Sequence, residues 1–169
     1  MLHATLFSRL NGVPPLRPYL RPPRTGGGGD PVSNYTRGLA LFTKIYSPKH
    51  APILLHNMSV SSGGDLSNFA VSRIYGDLLS DVSILNERET GLACFVTCLA
   101  LALGVGPGEL DLAGQIKGHM YGARNLGASG VEVRGAADLA FQIWEDVSGG
   151  SSQDVSNSVK LVLEKAKDW

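Results

Sequence analysis

The chain has 169 residues, 15 basic and 15 acidic side chains, two cysteines and a mean hydropathy of +0.04. That length holds one domain with a real core. Balanced charge with no long basic run in the body excludes a nucleic-acid face, and no apolar stretch reaches the ~18 residues of a membrane-spanning helix.

In chain order, residues 1–29 hold no Asp or Glu, four arginines (Arg9, Arg17, Arg21, Arg24), five prolines and the run Gly26 to Gly29. Such a segment buries too little apolar surface to order itself. Residues 1–30 therefore read as a disordered leader, followed by one domain over 31–169. An acidic-free, arginine-bearing start resembles a mitochondrial transit peptide, which predicts a mitochondrial protein. A plain tail on a cytoplasmic protein is the alternative. No apolar h-region of a secretory signal is present, and the end Lys167-Asp168-Trp169 is not a peroxisomal S-K-L signal.

From residue 31 the periodicity is helical throughout, and strand alternation is missing. Arg37 to Tyr46 places Leu39, Leu41, Phe42 and Ile45 at helical spacing. Ser47-Pro48 starts another helix, serine as cap and proline first. Ser61 to Gly64 is a loop, after which Asp65 or Ser67 caps a helix running to Leu79. Asn86 with Glu89 caps a long apolar helix that ends near Leu103. On it, Cys94 and Cys98 sit one turn apart, a spacing that suits neither a disulfide nor a complete zinc site. They read as apolar-like thiols of a reducing compartment. Gly104, Gly106, Pro107 and Gly108 turn the chain into the next helix, and Ala136 to Val147 and Val155 to Ala166 complete the set. The expected fold class is all-α, a bundle of about seven helices with almost no sheet.

The most informative stretch is 115–132. Gly114, Gly118 and Gly122 recur every four residues on one helix face. Each interior glycine costs about 1 kcal/mol against alanine, so a close neighbouring backbone or ligand is expected along that face. His119 stands inside this helix, with Gln115 one turn before it. Gly127 suits a left-handed C-terminal turn, and Ser129 with Glu132 forms a capping box for the following helix.

From Arg73 to Val147 the chain resembles the carboxymuconolactone decarboxylase family, which also contains the alkyl hydroperoxidase AhpD-like proteins. Leu85-Asn86-Glu87-Arg88-Glu89 resembles its "L-x-x-R-E" segment. Gln115 to His119, followed by Gly122-Ala123, resembles its "Q-x-x-x-H-x-x-x-A" core. Asn125 to Glu132 resembles its "N-x-G-x-T/S-x-x-E" hinge. The look is that of divergent eukaryotic, fungal members, whose pattern includes Tyr75-Gly76 and Glu89-Thr90. The resemblance implies an all-α subunit assembling as a homotrimer or homohexamer. In the peroxidase branch a C-x-x-C pair precedes the histidine. Those positions are Leu112 and Gln115 here, so that thiol chemistry is not expected. In the decarboxylase branch the histidine handles protons while substrate loses carbon dioxide, the role the resemblance gives His119.

Glu89 and Glu87 are the candidate acidic partners. Gln115, Arg124 and Lys117 are the candidate substrate-binding residues, Arg124 and Lys117 for a carboxylate. Each has a plain structural reading as well. His119 can be a packing histidine, the two glutamates can complement the helix dipole, and Arg124 can pair with Glu132. Tyr75 and Tyr121 read as packing residues with a hydrogen-bonded tip. His50 and His56, six apart, are poorly spaced for one metal, and no metal site or cofactor is expected. Two functions remain open. One is a cofactor-free lyase acting on a small organic acid or lactone. The other is a non-catalytic oligomeric member that keeps the fold and has lost the chemistry.

Overall fold

The structure, a computed structural model, describes residues 31–105, 112–149 and 157–169. The leader over 1–30, the turn residues Gly106 to Gly108 and the apolar Val155 lie outside the described residues. Among those described, every regular element is helical: α1 (Pro31–Ser62), α2 (Asp65–Phe69), a π-helical segment (Ala70–Leu79), α3 (Glu87–Val105), α4 (Ala113–Asn125), α5 (Gly130–Ser148), α6 (Asn157–Glu164) and a 3₁₀ turn (Lys165–Asp168). The all-α expectation holds.

The break expected at Ser47-Pro48 is present as a bend inside α1. Ser47 takes φ 70° and ψ 154°, a region that costs an ordinary residue about 1–3 kcal/mol. The following proline accounts for the break in the helix, since its ring disfavours a helical conformation in the residue before it. The Ser47 hydroxyl accepts from the His50 N–H at 3.4 Å and caps the second run. The bend leaves Tyr46 at the end of the first run and turns the second, with Leu54 and Met58, beneath it.

Neither Asp65 nor Ser67 caps α2, contrary to the sequence reading. Gly64, at φ 99°, occupies the cap position, and the Leu66 N–H is satisfied by the Ser62 hydroxyl at 2.9 Å. The helix then widens into the π segment, where the Ser80 N–H reaches Tyr75 O, five residues back, at 2.9 Å. Such segments are rare and concentrate at functional sites. Two glycines let this one lie directly on α1. A Cβ at Gly38 would strike the Val71 carbonyl, and one at Gly76 the Asn34 carbonyl.

The glycine face of α4 is divided between two uses. A Cβ on Gly122 would come within 2.7 Å of Ile45 Cγ2, so Gly122 is the close-approach position against α1. Gly118 faces the Tyr46 ring at an ordinary 3.5 Å, and Gly114 meets nothing. Both caps read from the sequence form. Asn86 and Glu89 bond each other's backbone N–H at 3.0 and 2.9 Å, as do Ser129 and Glu132 at 3.3 and 2.9 Å. Each such cap contributes about 1 kcal/mol. Gly127, at φ 100°, makes the left-handed turn between α4 and α5.

The core has two lobes. Phe95, Leu99, Ile116, Met120, Val133 and Val159 join α3 to α6. Leu41, Phe42, Ile45, Tyr75 and Leu126 join α1, the π segment and the end of α4. The C-terminal turn serves its own chain. Val159, Val162 and Ala166 are buried in the first lobe, and Trp169 packs its ring 5.1 Å from that of Tyr121. α4 thus touches both lobes, and one face of it lies between them.

Candidate functional site

That face carries His119. Its ring is half-buried, and Nε2 lies 3.5 Å from the Tyr46 hydroxyl. Tyr46 in turn shares a hydrogen bond of 2.9 Å with the Tyr75 hydroxyl. Phe42 fixes both phenols, its ring centroid 4.6 Å from Tyr46 and 4.8 Å, edge-on, from Tyr75. The row Tyr75–Tyr46–His119 therefore draws one member from each of three elements: the π segment, the end of the first run of α1, and α4.

The row lines a cavity of about 1060 Å³. Small-molecule sites usually enclose roughly 300–1,000 Å³, so this one is at the upper limit. Leu54 and Met58 come from α1, and Ile74 and Leu78 from the π segment. The loop after it adds Ile84 and Leu85, and α3 adds Thr90, Ala93, Cys94, Thr97 and Cys98. Gly114, Gln115 and Gly118 complete the α4 side, the two glycines leaving room where side chains would fill it.

Burial sets the electrostatics. Desolvation pushes the His119 pKa below its ordinary value, favouring the neutral imidazole. It pushes Tyr46 up, opposed in part by the bond from Tyr75. It also drives Tyr75 far above the usual phenol range, with the neighbouring Tyr46 adding to the rise. The Cys94 and Cys98 thiols are raised by burial, Cys94 also by Cys98. A thiolate nucleophile is thereby disfavoured on this wall. At neutral pH the site is an uncharged hydrogen-bonding row beside apolar surface.

Of the residues expected from the sequence, the structure brings His119 and Gln115 to the cavity. Glu87 pairs with Lys44, and Glu89 is held in the α3 cap. Arg124 lies over the Trp169 ring, 4.8 Å from its centroid, and Glu132 pairs with Arg88 at 2.8 Å rather than with Arg124. Lys117 is exposed away from the cavity lining. Among the described residues, no three of His, Cys, Asp and Glu stand where they could share a metal ion. No described helix is long and apolar enough to cross a membrane. Tyr46 is the residue that sequence reasoning missed. Its signal was position: a tyrosine directly before a Ser-Pro break must sit at a helix end.

No family model matches the chain, so the resemblance to the carboxymuconolactone decarboxylase family is not confirmed. No solved structure matches it. A relative does: Peroxisomal protein 2 of the fission yeast Schizosaccharomyces pombe, 32% identical over 110 residues. The match covers 65% of this chain and 46% of the relative, so the chain aligns with about half of that protein's length. This relative, peroxisomal by name, overturns the mitochondrial reading of the arginine-bearing leader. Arginine without acid is a compositional feature that a proline-rich tail shares with a transit peptide.

Proposed function

We propose that the chain binds a small organic molecule in the cavity between α1, the π segment, α3 and α4, and that His119 transfers a proton on it. The observation that carries this reading is the row Tyr75–Tyr46–His119 on the wall of a large, mostly apolar space. A neutral imidazole with its proton on Nδ1 offers Nε2 as the base, an assignment of tautomer made from the contact with Tyr46. As His119 removes a proton from substrate, negative charge grows on the neighbouring carbonyl oxygen. The Tyr46 O–H can donate to that oxygen while the Tyr46 oxygen accepts from Tyr75. The 3.5 Å contact is long for a resting hydrogen bond, as is common in sites that tighten only around substrate. The proton taken from carbon rests on the imidazolium and returns to the enolate, so the reaction is a proton transfer on a neutral carbonyl compound in which no carbon–carbon bond breaks.

The test is a thermal-shift and turnover screen of small ketones, lactones and esters. Tyr46→Phe should weaken binding roughly tenfold, the worth of one hydrogen bond. His119→Gln should keep binding and lose about 10²–10⁴ in turnover. If no compound shifts the folded wild type, the reading falls.

On the name of its relative, we propose that the protein works in peroxisomes. A fluorescent fusion of the full chain should co-localise with a peroxisomal marker, and a diffuse signal counts against this. We also propose self-association, as the family resemblance implies, through α5. Val131, Leu139, Ile143 and Val147 stand exposed at four- or eight-residue steps. Light scattering should give a trimeric or hexameric mass, lowered by the pair Leu139→Glu and Ile143→Glu. The mass of a single chain in wild type would refute it.

A further inference from the structure

We infer that the cavity takes a neutral amphiphile, with one carbonyl or hydroxyl oxygen accepting from Tyr46, a hydroxyl also donating to His119 Nε2, and an unbranched hydrocarbon body lying along the apolar side chains. This rests on the binding site proposed above and narrows its ligand to a class.

Charge is the first observation. Among the described residues that line the cavity there is no Lys or Arg, and the formal charge there is the carboxylate of Asp81, which accepts from the Ser83 N–H at 3.0 Å. Lys44 pairs with Glu87, Arg88 with Glu132, Arg124 lies on the Trp169 ring, and Lys117 is exposed outside the lining. An organic anion would enter with no opposite charge and would lose its hydration. The polar row inside the cavity is itself uncharged.

Placement of polar atoms is the second. Thr97 spends its hydroxyl proton on Ala93 O at 2.8 Å. Tyr46, Tyr75 and His119 form one connected set. The remaining lining is dominated by Leu54, Met58, Ile74, Leu78, Ile84 and Leu85. A single connected polar row in a lining otherwise mostly apolar matches a molecule with one polar group on an apolar body.

The rim is the third observation. Leu78 and Ile84 are 65% and 60% exposed while still lining the cavity. Apolar side chains therefore line the cavity where it meets solvent, surface that a bound hydrocarbon would cover. A hydrocarbon tail covers it; a compact polar acid does not.

Titrating the full chain with decanol and with decanoate at neutral pH tests this, since the two share a skeleton and differ chiefly in one negative charge. Decanol should bind at least roughly tenfold tighter than decanoate, because the carboxylate is desolvated without a partner. Affinity should rise roughly threefold to fourfold per methylene from hexanol to decanol as the chain is buried. Gln115→Lys, which sets an ammonium on the cavity wall, should narrow or reverse the preference. Decanoate binding as tightly as decanol, or a preference that Gln115→Lys leaves unchanged, overturns the neutral-ligand inference and leaves the site standing. Failure of the folded protein to bind either compound overturns both.

Discussion

Gly76→Ala should destabilise the protein by about 3 kcal/mol, the upper part of the usual range for overpacking. The reason is that the added Cβ lands on the Asn34 carbonyl of α1. A side chain in the way can rotate, but a backbone carbonyl moves only with its helix. The same holds at Gly38, whose Cβ would meet the Val71 carbonyl from the other side. For a chain of this length the loss corresponds to a melting temperature lower by roughly 6–12 °C. Gly135→Ala is the control. It lies exposed on α5 with nothing within 4 Å of its Cβ, and should gain up to about 1 kcal/mol from helix propensity. Thermal denaturation by circular dichroism reads both. A Gly76→Ala melt equal to wild type would show that the α1–π contact is looser than described. The effect should also reach the site, because Tyr75 is the adjacent residue. A π segment lifted from α1 moves the Tyr75 hydroxyl out of its 2.9 Å bond with Tyr46.

That coupling explains what was legible in the sequence. Local features were readable because their causes are local. Ser47-Pro48 dictates a break, Ser129 and Glu132 satisfy each other's backbone, and Gly127 supplies a positive φ. The glycine repeat announced a close contact, but only Gly122 is pressed against α1, whereas Gly114 and Gly118 leave space for the cavity. Spacing alone does not distinguish a glycine that admits a helix from one that admits a ligand. Gly38 gave no signal, since its reason for being glycine is a carbonyl more than thirty residues away in sequence.

The site was half visible for the same reason. His119 and Gln115 share one turn of α4, so their proximity is fixed by helix geometry. Tyr46 reaches His119 across 73 residues of chain, and no periodicity encodes such a pairing. The charged candidates followed a different physical rule. Glu89 and Glu87 open a helix, where carboxylates complement the dipole and the exposed N–H groups. Both have such partners, Glu89 in the cap and Glu87 with Lys44. Arg124 shows how a cation one turn past His119 faces away from it: five residues along a helix turn the side chain by well over a quarter circle.

The second large effect expected is a loss of stability in mild acid that belongs to His119. Burial depresses its pKa in the folded chain, while in the unfolded chain it titrates near the ordinary value of about 6.5. Below that value the unfolded state binds the proton first. Stability is therefore full above about pH 6.5, falls as pH drops through that value, and stops falling only below the depressed folded pKa. Urea midpoints between about pH 8 and about pH 5 measure this, and His119→Gln should flatten the curve, which separates His119 from the exposed His50 and His56. If the variant and wild type lose stability in parallel, His119 is not held neutral. The same proton links stability to chemistry. A ligand hydroxyl that donates to Nε2 needs the neutral ring, so in wild type its affinity should hold where stability first falls and drop only at lower pH, through the depressed folded pKa. In His119→Gln that dependence should vanish while binding itself persists. A histidine that merely packs would give the stability curve without the pH-dependent affinity, and this separates a proton-transferring His119 from a structural one.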